Sequence, residues 1–188
     1  MGSIKRAACL LAASALSVLG SGAASAAAPP PALGAVRTVT YGLPASVHAG
    51  TTVHLWSWIT WTPKRKTSDT VVIEDSGFSL WNKRTNSCSG ARVSFLNPIT
   101  HQWQTGKATG RCTVGMDLAP LPTFFKVPAG KWVRIDYEVV FSSSAPTGTW
   151  GIAAQPVSSY GIVTPSGQGV DAVLTGDFWQ THYTRVYT

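Results

Sequence analysis

The chain has 188 residues, with 15 lysines and arginines against 8 acidic residues, a formal net charge of +7, and only 12% charged side chains. That surface is basic but dilute. It argues against a nucleic-acid binder, which clusters its cations on one face.

Residues 1–26, MGSIKRAACLLAASALSVLGSGAASA, read as an export signal. Lys5 and Arg6 precede an apolar run from Ala7 to Leu19, and Ala24-Ser25-Ala26 fits the small-x-small pattern before a cleavage site. The apolar run is shorter than the roughly 20 residues a spanning helix needs. Cleavage near Ala26 predicts a secreted product of 162 residues, 188 less the 26 removed, with no transmembrane segment. Lys5 and Arg6 leave with the signal, so the net charge falls from +7 to +5. This length suits one domain with its own core. Residues 27–35, AAPPPALGA, form a Pro/Ala-rich lead-in that is predicted to be disordered. Residues 36–188 remain as a single domain.

From Val36 onward no helical period appears. Short segments rich in Val, Thr, Ile and Trp alternate with Gly, Pro, Asn and Ser clusters, which is the pattern of an all-β domain. The strand candidates are 36–42, 53–61, 70–74, 78–81, 91–96, 101–103, 113–118, 124–127, 131–141, 149–154, 170–175 and 178–187. They predict two packed sheets in an immunoglobulin-like antiparallel β-sandwich, with an antiparallel β-barrel as the alternative.

The stretch HLWSWITWTPKRK, residues 54–66, stands out. As a strand it divides by parity. Val53, Leu55, Ser57, Ile59 and Trp61 form a core face, with Trp61 buried at the strand's end. His54, Trp56, Trp58 and Thr60 form the other face. Two rings at alternate positions, about 7 Å apart along the strand, are the candidate ligand-binding group, together with His54. The alternative is partial burial of both rings beneath a neighbouring loop or the C-terminal strand, and this is the favoured reading. Lys64-Arg65-Lys66 then belongs to a turn after the strand.

Further along, Glu74-Asp75-Ser76-Gly77 reads as a turn between two strands. NPIT at 97–100 reads as a hairpin connection, and GIVTPSGQG at 161–169 as a glycine-rich surface loop. KWVRIDYEVVF, 131–141, is the clearest half-buried strand. Its Val133, Ile135, Tyr137, Val139 and Phe141 alternate with Trp132, Arg134, Asp136 and Glu138. The final DFWQTHYTRVYT reads as a paired strand whose deletion is costly. No sorting motif follows it, which predicts release rather than attachment to a cell wall.

Cys9 leaves with the signal. Cys88 and Cys112 are predicted to form a disulfide, as expected of an exported domain. Neither has a second cysteine or a histidine at metal-ligand spacing, so no metal site is predicted. There is no Gly-x-Ser-x-Gly elbow, His-Glu-x-x-His helix or phosphate-binding glycine loop, and no cofactor motif. His48, His54, His101 and His182 are far apart in sequence. An enzyme acting on polysaccharide would need two carboxylates across a cleft. Asp136 and Glu138 share a strand face and Glu74 is a third candidate, but alternation with Arg134 makes a solvated charged face the simpler reading. No catalytic residue is assigned.

Three segments carry a resemblance. They are LPASVHAGTTVHLWSWITWTPKRKTSDTVVI, GARVSFLNPITHQWQ and VPAGKWVRIDYEVVFSSSAPTG, with their Ala-Gly, Asn-Pro-x-Thr and Pro-Ala-Gly turns between strands. Over about Val36 to Gln155 the chain resembles the immunoglobulin-like β-sandwich domains of secreted and wall-attached proteins of actinobacteria such as streptomycetes. The resemblance implies fold and location and no catalytic residue. The expected function is therefore that of a secreted, non-catalytic domain that binds cell-wall or extracellular carbohydrate, or a protein partner. The alternatives are a small secreted enzyme acting on polysaccharide and a toxin or inhibitor acting at membranes or walls.

Overall fold

In a computed structural model, residues 29–118 and 125–188 are described. The predicted export signal, and Phe124 of the segment predicted at 124–127, lie outside the described residues. Every regular element among those residues is a strand. In chain order these are β1 Ala32–Tyr41, β2 Ser46–His48, β3 Thr52–Pro63, β4 Thr70–Asn82, β5 Ala91–Leu96, β6 Trp103–Thr105 and β7 Lys107–Gly110. They continue with β8 Thr113–Asp117, β9 Phe125–Val127, β10 Val133–Phe141, β11 Gly148–Val163, β12 Val173–Gly176 and β13 Gln180–Tyr187.

Two sheets stack face to face. One runs β12-β1-β3-β10-β5-β6; the other runs β2-β13-β11-β4-β8-β7, with β9 also paired to β4. The all-β sandwich is as the sequence predicts, and the barrel alternative falls because neither sheet closes on itself. Both sheets are mixed rather than purely antiparallel. β1 pairs parallel with β12, and β13 parallel with β2. Each of these partners lies far from the other in sequence, and such a pairing leaves no local hairpin signal to read.

The period-two faces drive the assembly. Leu55, Ile59 and Trp61 from β3 and Ile135, Tyr137, Val139 and Phe141 from β10 meet Phe78, Trp150 and Ile152 of the other sheet in a continuous core. Tyr137 joins the layers. Its ring lies 5.2 Å from Phe78 across the sandwich and 5.4 Å from Phe95 in its own sheet. The two fully buried indoles satisfy their only donors: Trp61 Nε1 donates to Val127 O at 2.7 Å and Trp150 Nε1 to Pro146 O at 2.8 Å. Each buried large apolar side chain contributes about 1.5–3 kcal/mol, and the largest fully buried ones are Trp61, Trp150, Tyr137, Phe78, Phe95 and Phe141.

Three local expectations are corrected. The lead-in is not loose through residue 35. β1 starts at Ala32, because residues 32–36 pair with β12 on one side and 34–36 with β3 on the other. Glu74 to Gly77 is not a turn, since β4 runs through it unbroken. Asp75 to Ser79 is held by β8 and by β11, and Ser76 turns inward with its hydroxyl 3.4 Å from Gln155 O. Pairing on both flanks outweighs the local turn preference. Similarly, Gly161 to Val163 belongs to β11, leaving a short turn closed by Thr164 N donating to Gln168 O at 2.9 Å.

The hairpin at 97–100 forms as predicted, with Asn97 Oδ1 accepting from Ile99 N and Thr100 N at 2.8 and 3.0 Å. Cys88 and Cys112 are disulfide-bonded, with Cα atoms 5.3 Å apart. Among the described residues no helix is long and apolar enough to cross a membrane.

Candidate functional site

The outward face of the first sheet carries the aromatic row, and register decides what stands beside it. Trp56 pairs with Tyr41 of β1 and Asp136 of β10; Trp58 pairs with Val39 and Arg134; His54 pairs with Glu138. Extending the Trp56 row across β5 and β6 adds Leu96 and Trp103. Four strands, β1, β3, β10 and β6, therefore present aromatic and charged side chains on a single surface.

Within it the planar groups stack. Tyr41 and Trp56 have ring centroids 6.4 Å apart at an interplanar angle of 28°. On the other side of Trp56 lies the Arg134 guanidinium, with Cζ 4.8 Å from that ring centroid and 5.9 Å from that of Trp58. Arg134 is held by its own strand. Its Nε donates to both carboxylate oxygens of Asp136, at 2.9 and 3.1 Å, and a terminal nitrogen donates to Oδ1 as well. Arg37, from β1, extends over Trp132, with Cζ 6.0 Å from the ring centroid. The attraction in each case is that of a cation for the negative face of the ring.

Between these groups lies a groove of about 590 Å³, lined by Arg37, Val39, Tyr41, Trp56, Trp58 and Trp132. This volume lies in the range of small-molecule sites. Two of its wall rings, Tyr41 and Trp56, are stacked on one another. Trp56 and Trp58 are half-buried, while Tyr41 and Trp132 are 49% and 45% exposed. The partial burial expected of the two tryptophans is found: Tyr41 of β1 and Arg134 of β10 flank Trp56, and Gly42, just beyond β1, lies close to its ring.

Of the three predicted ligand residues, Trp56 and Trp58 share the groove and His54 stands off it. The His54 ring packs edge-on against Trp103 at 6.2 Å, and Nε2 lies 3.7 Å from Glu138 Oε1. The carboxylates considered for catalysis are engaged elsewhere. Asp136 binds Arg134, Glu138 faces His54, and Glu74 lies in the other sheet, where it accepts from Ser159 Oγ at 3.4 Å. Sequence reasoning missed Arg37, Tyr41 and Trp132 as wall residues, and Arg134 as the side chain stacked on Trp56. Their alternation on β1 and β10 was visible, but which strand would lie beside β3 was not.

No family model matches the chain, and no curated protein matches it. Solved structures do show similarity. AvmM, described as catalysing macrocyclization in alchivemycin A biosynthesis, superposes with a TM-score of 0.50 at 14% identity, covering 80% of this chain and 88% of that one. The seventh ScaB type I cohesin of Pseudobacteroides cellulosolvens gives 0.41 at 10% identity, covering 81% and 92%. The sporulation control protein Spo0M of Bacillus subtilis gives 0.39 at 9% identity, covering 82% of this chain and 50% of that one. At these identities the likeness to AvmM is one of fold alone.

Proposed function

We propose that this is a secreted, non-catalytic β-sandwich domain that binds extracellular polysaccharide in the groove along β1 and β3. The observation that carries this reading is the groove itself. Four aromatic side chains, Tyr41, Trp56, Trp58 and Trp132, line an open channel floored by Val39. Sugar rings present apolar C–H faces that pack on aromatic rings, and their hydroxyls need neighbours such as Arg37 for hydrogen bonds. A groove of this volume takes a single soluble glycan chain rather than the flat surface of a crystalline polymer. The export signal, the disulfide and the resemblance to secreted actinobacterial immunoglobulin-like domains belong to the same proposal.

The test is binding of the purified domain to a panel of neutral and acidic soluble polysaccharides, beside insoluble cellulose, chitin and peptidoglycan. Affinity electrophoresis and tryptophan fluorescence are the readouts. Retardation by at least one soluble glycan, lost in Trp58→Ala and Trp132→Ala, is expected. No retention on any member and no fluorescence change would remove the reading.

A further inference from the structure

The groove is electrostatically polarised. At one end Asp136 and Glu138 sit beside Trp56 and His54 in the cross-strand rows. Toward the other end the outward positions of β3 continue from Trp58 to Thr60 and Thr62 and then into Lys64-Arg65-Lys66, all three of which are exposed. Arg37 stands opposite Thr60 in register, about 7 Å beyond Trp58 along the strand. Two backbone bonds fix the rest of this end. Lys64 N donates to Leu33 O at 2.8 Å, and Gly130 N donates to Trp61 O at 2.9 Å, which brings exposed Lys131 alongside.

None of these five cations has an ion-pair partner among the described residues. The ion pairs among the described residues are His54–Glu138 and Arg134–Asp136. Arg37 donates no hydrogen bond among the described residues and rests only on the face of Trp132. The two carboxylates nearest in the chain or fold do not pair with them. Asp69 accepts from Thr67 Oγ1 at 2.7 Å. Asp177, whose N–H donates to Val36 O, is exposed and makes no ion pair with Arg37.

We infer that the groove selects an anionic glycan, a chain of carboxylated sugars such as uronic acids, and that Arg37 is the residue that reads the charge. This rests on the polysaccharide reading above. The aromatic walls take the sugar faces. The guanidinium, a planar fork that matches a carboxylate, is free at the groove wall. The basic turn beyond it extends the attraction to the next charged residue of the chain, while at the opposite end Arg134 is paired with Asp136, and Glu138 has no Lys or Arg partner among the described residues.

The experiment compares oligogalacturonate with its fully methyl-esterified form, which keeps the same backbone and loses the charge. Binding is followed by tryptophan fluorescence at low and high salt. Wild-type protein is expected to favour the acid by about tenfold or more, the range of a charge-assisted hydrogen bond. Salt should erode that preference. Arg37→Met, which keeps an apolar stem against Trp132, should abolish the preference, weakening binding of the acid far more than binding of the ester. Equal binding of acid and ester, lost in Trp58→Ala, overturns the inference but leaves the polysaccharide reading standing. Preference for the acid that survives in Arg37→Met overturns the role of Arg37. Equally tight binding of duplex DNA or anionic phospholipid vesicles, unchanged in Trp58→Ala, would mean a non-specific basic patch and overturns the inference. Loss of binding to every glycan tested removes both.

Discussion

Arg134 lies across the face of Trp56, with Cζ 4.8 Å from the ring centroid, while the same guanidinium grips Asp136 two residues along its own strand. The stack arranges the groove more than it stabilises the fold. A cation–π contact at a partly exposed site contributes about 0.5–1 kcal/mol, and an ion pair this open contributes about 0–1 kcal/mol. Arg134→Ala should therefore lower stability by less than about 2 kcal/mol yet weaken glycan binding several-fold and shift tryptophan emission to the red. Arg134→Lys should not restore the emission, since an ammonium cannot stack as a plane does. Urea titration and emission spectra check both. Wild-type emission in Arg134→Ala would show that the contact does not shield Trp56.

Gly42 holds Trp56 from beneath. Its φ is +88°, and a Cβ there would come within 2.7 Å of a Trp56 ring atom and 2.6 Å of His54 O. Gly42→Ala is expected to cost about 1–3 kcal/mol through backbone strain and to push the Trp56 ring toward the groove. Denaturant unfolding should show the loss, with reduced glycan affinity beside it. Wild-type affinity in a destabilised Gly42→Ala protein would mean that the ring position does not matter for binding.

The Cys88–Cys112 bond closes a loop with a sequence separation of 24, and loop-closure entropy assigns it about 3 kcal/mol. It ties the segment between β4 and β5 to the turn before β8, where Leu80 N donates to Cys112 O. Reduction, or Cys88→Ser with Cys112→Ser, should lower the urea midpoint accordingly while β-sheet circular dichroism persists at low denaturant. A change under about 1 kcal/mol would show that the strands alone already restrain this loop.

Tyr137 is fully buried, and burial pushes its phenol well above the ordinary value of 10.0. The folded chain keeps this proton at pH values where the unfolded chain releases it. Its contribution to stability is therefore complete below pH 10 and declines above it, by about 1.4 kcal/mol per pH unit. Tyr137→Phe should flatten that alkaline decline in urea titrations between pH 9 and pH 11. At neutral pH it should cost no more than about 1 kcal/mol, because the Tyr137 hydroxyl meets Ser76 Oγ at a long 3.5 Å. An equally steep decline in the variant would place the alkaline sensitivity elsewhere.

Much of this site could be read from parity. The alternation in 53–61 and 131–141 separates Leu55, Ile59, Trp61, Ile135, Tyr137 and Phe141 from Trp56, Trp58, Arg134 and Asp136, and the structure keeps every one of these residues on its expected face. The same local logic failed at Glu74 to Gly77. There the turn-forming residues are real, but two neighbouring strands hold the backbone extended.

The sequence by itself determined the all-β class, the two faces of each central strand, and the cysteine pair available to close a loop, since each follows from residues near one another or from simple counting. Only the tertiary structure decided that β1 and β10 flank β3, so that Arg37, Tyr41, Trp132 and Arg134 surround Trp56 and Trp58. Strand order and register are set by burying the core faces of segments tens of residues apart, and a two-residue period carries no information about which neighbour will be chosen.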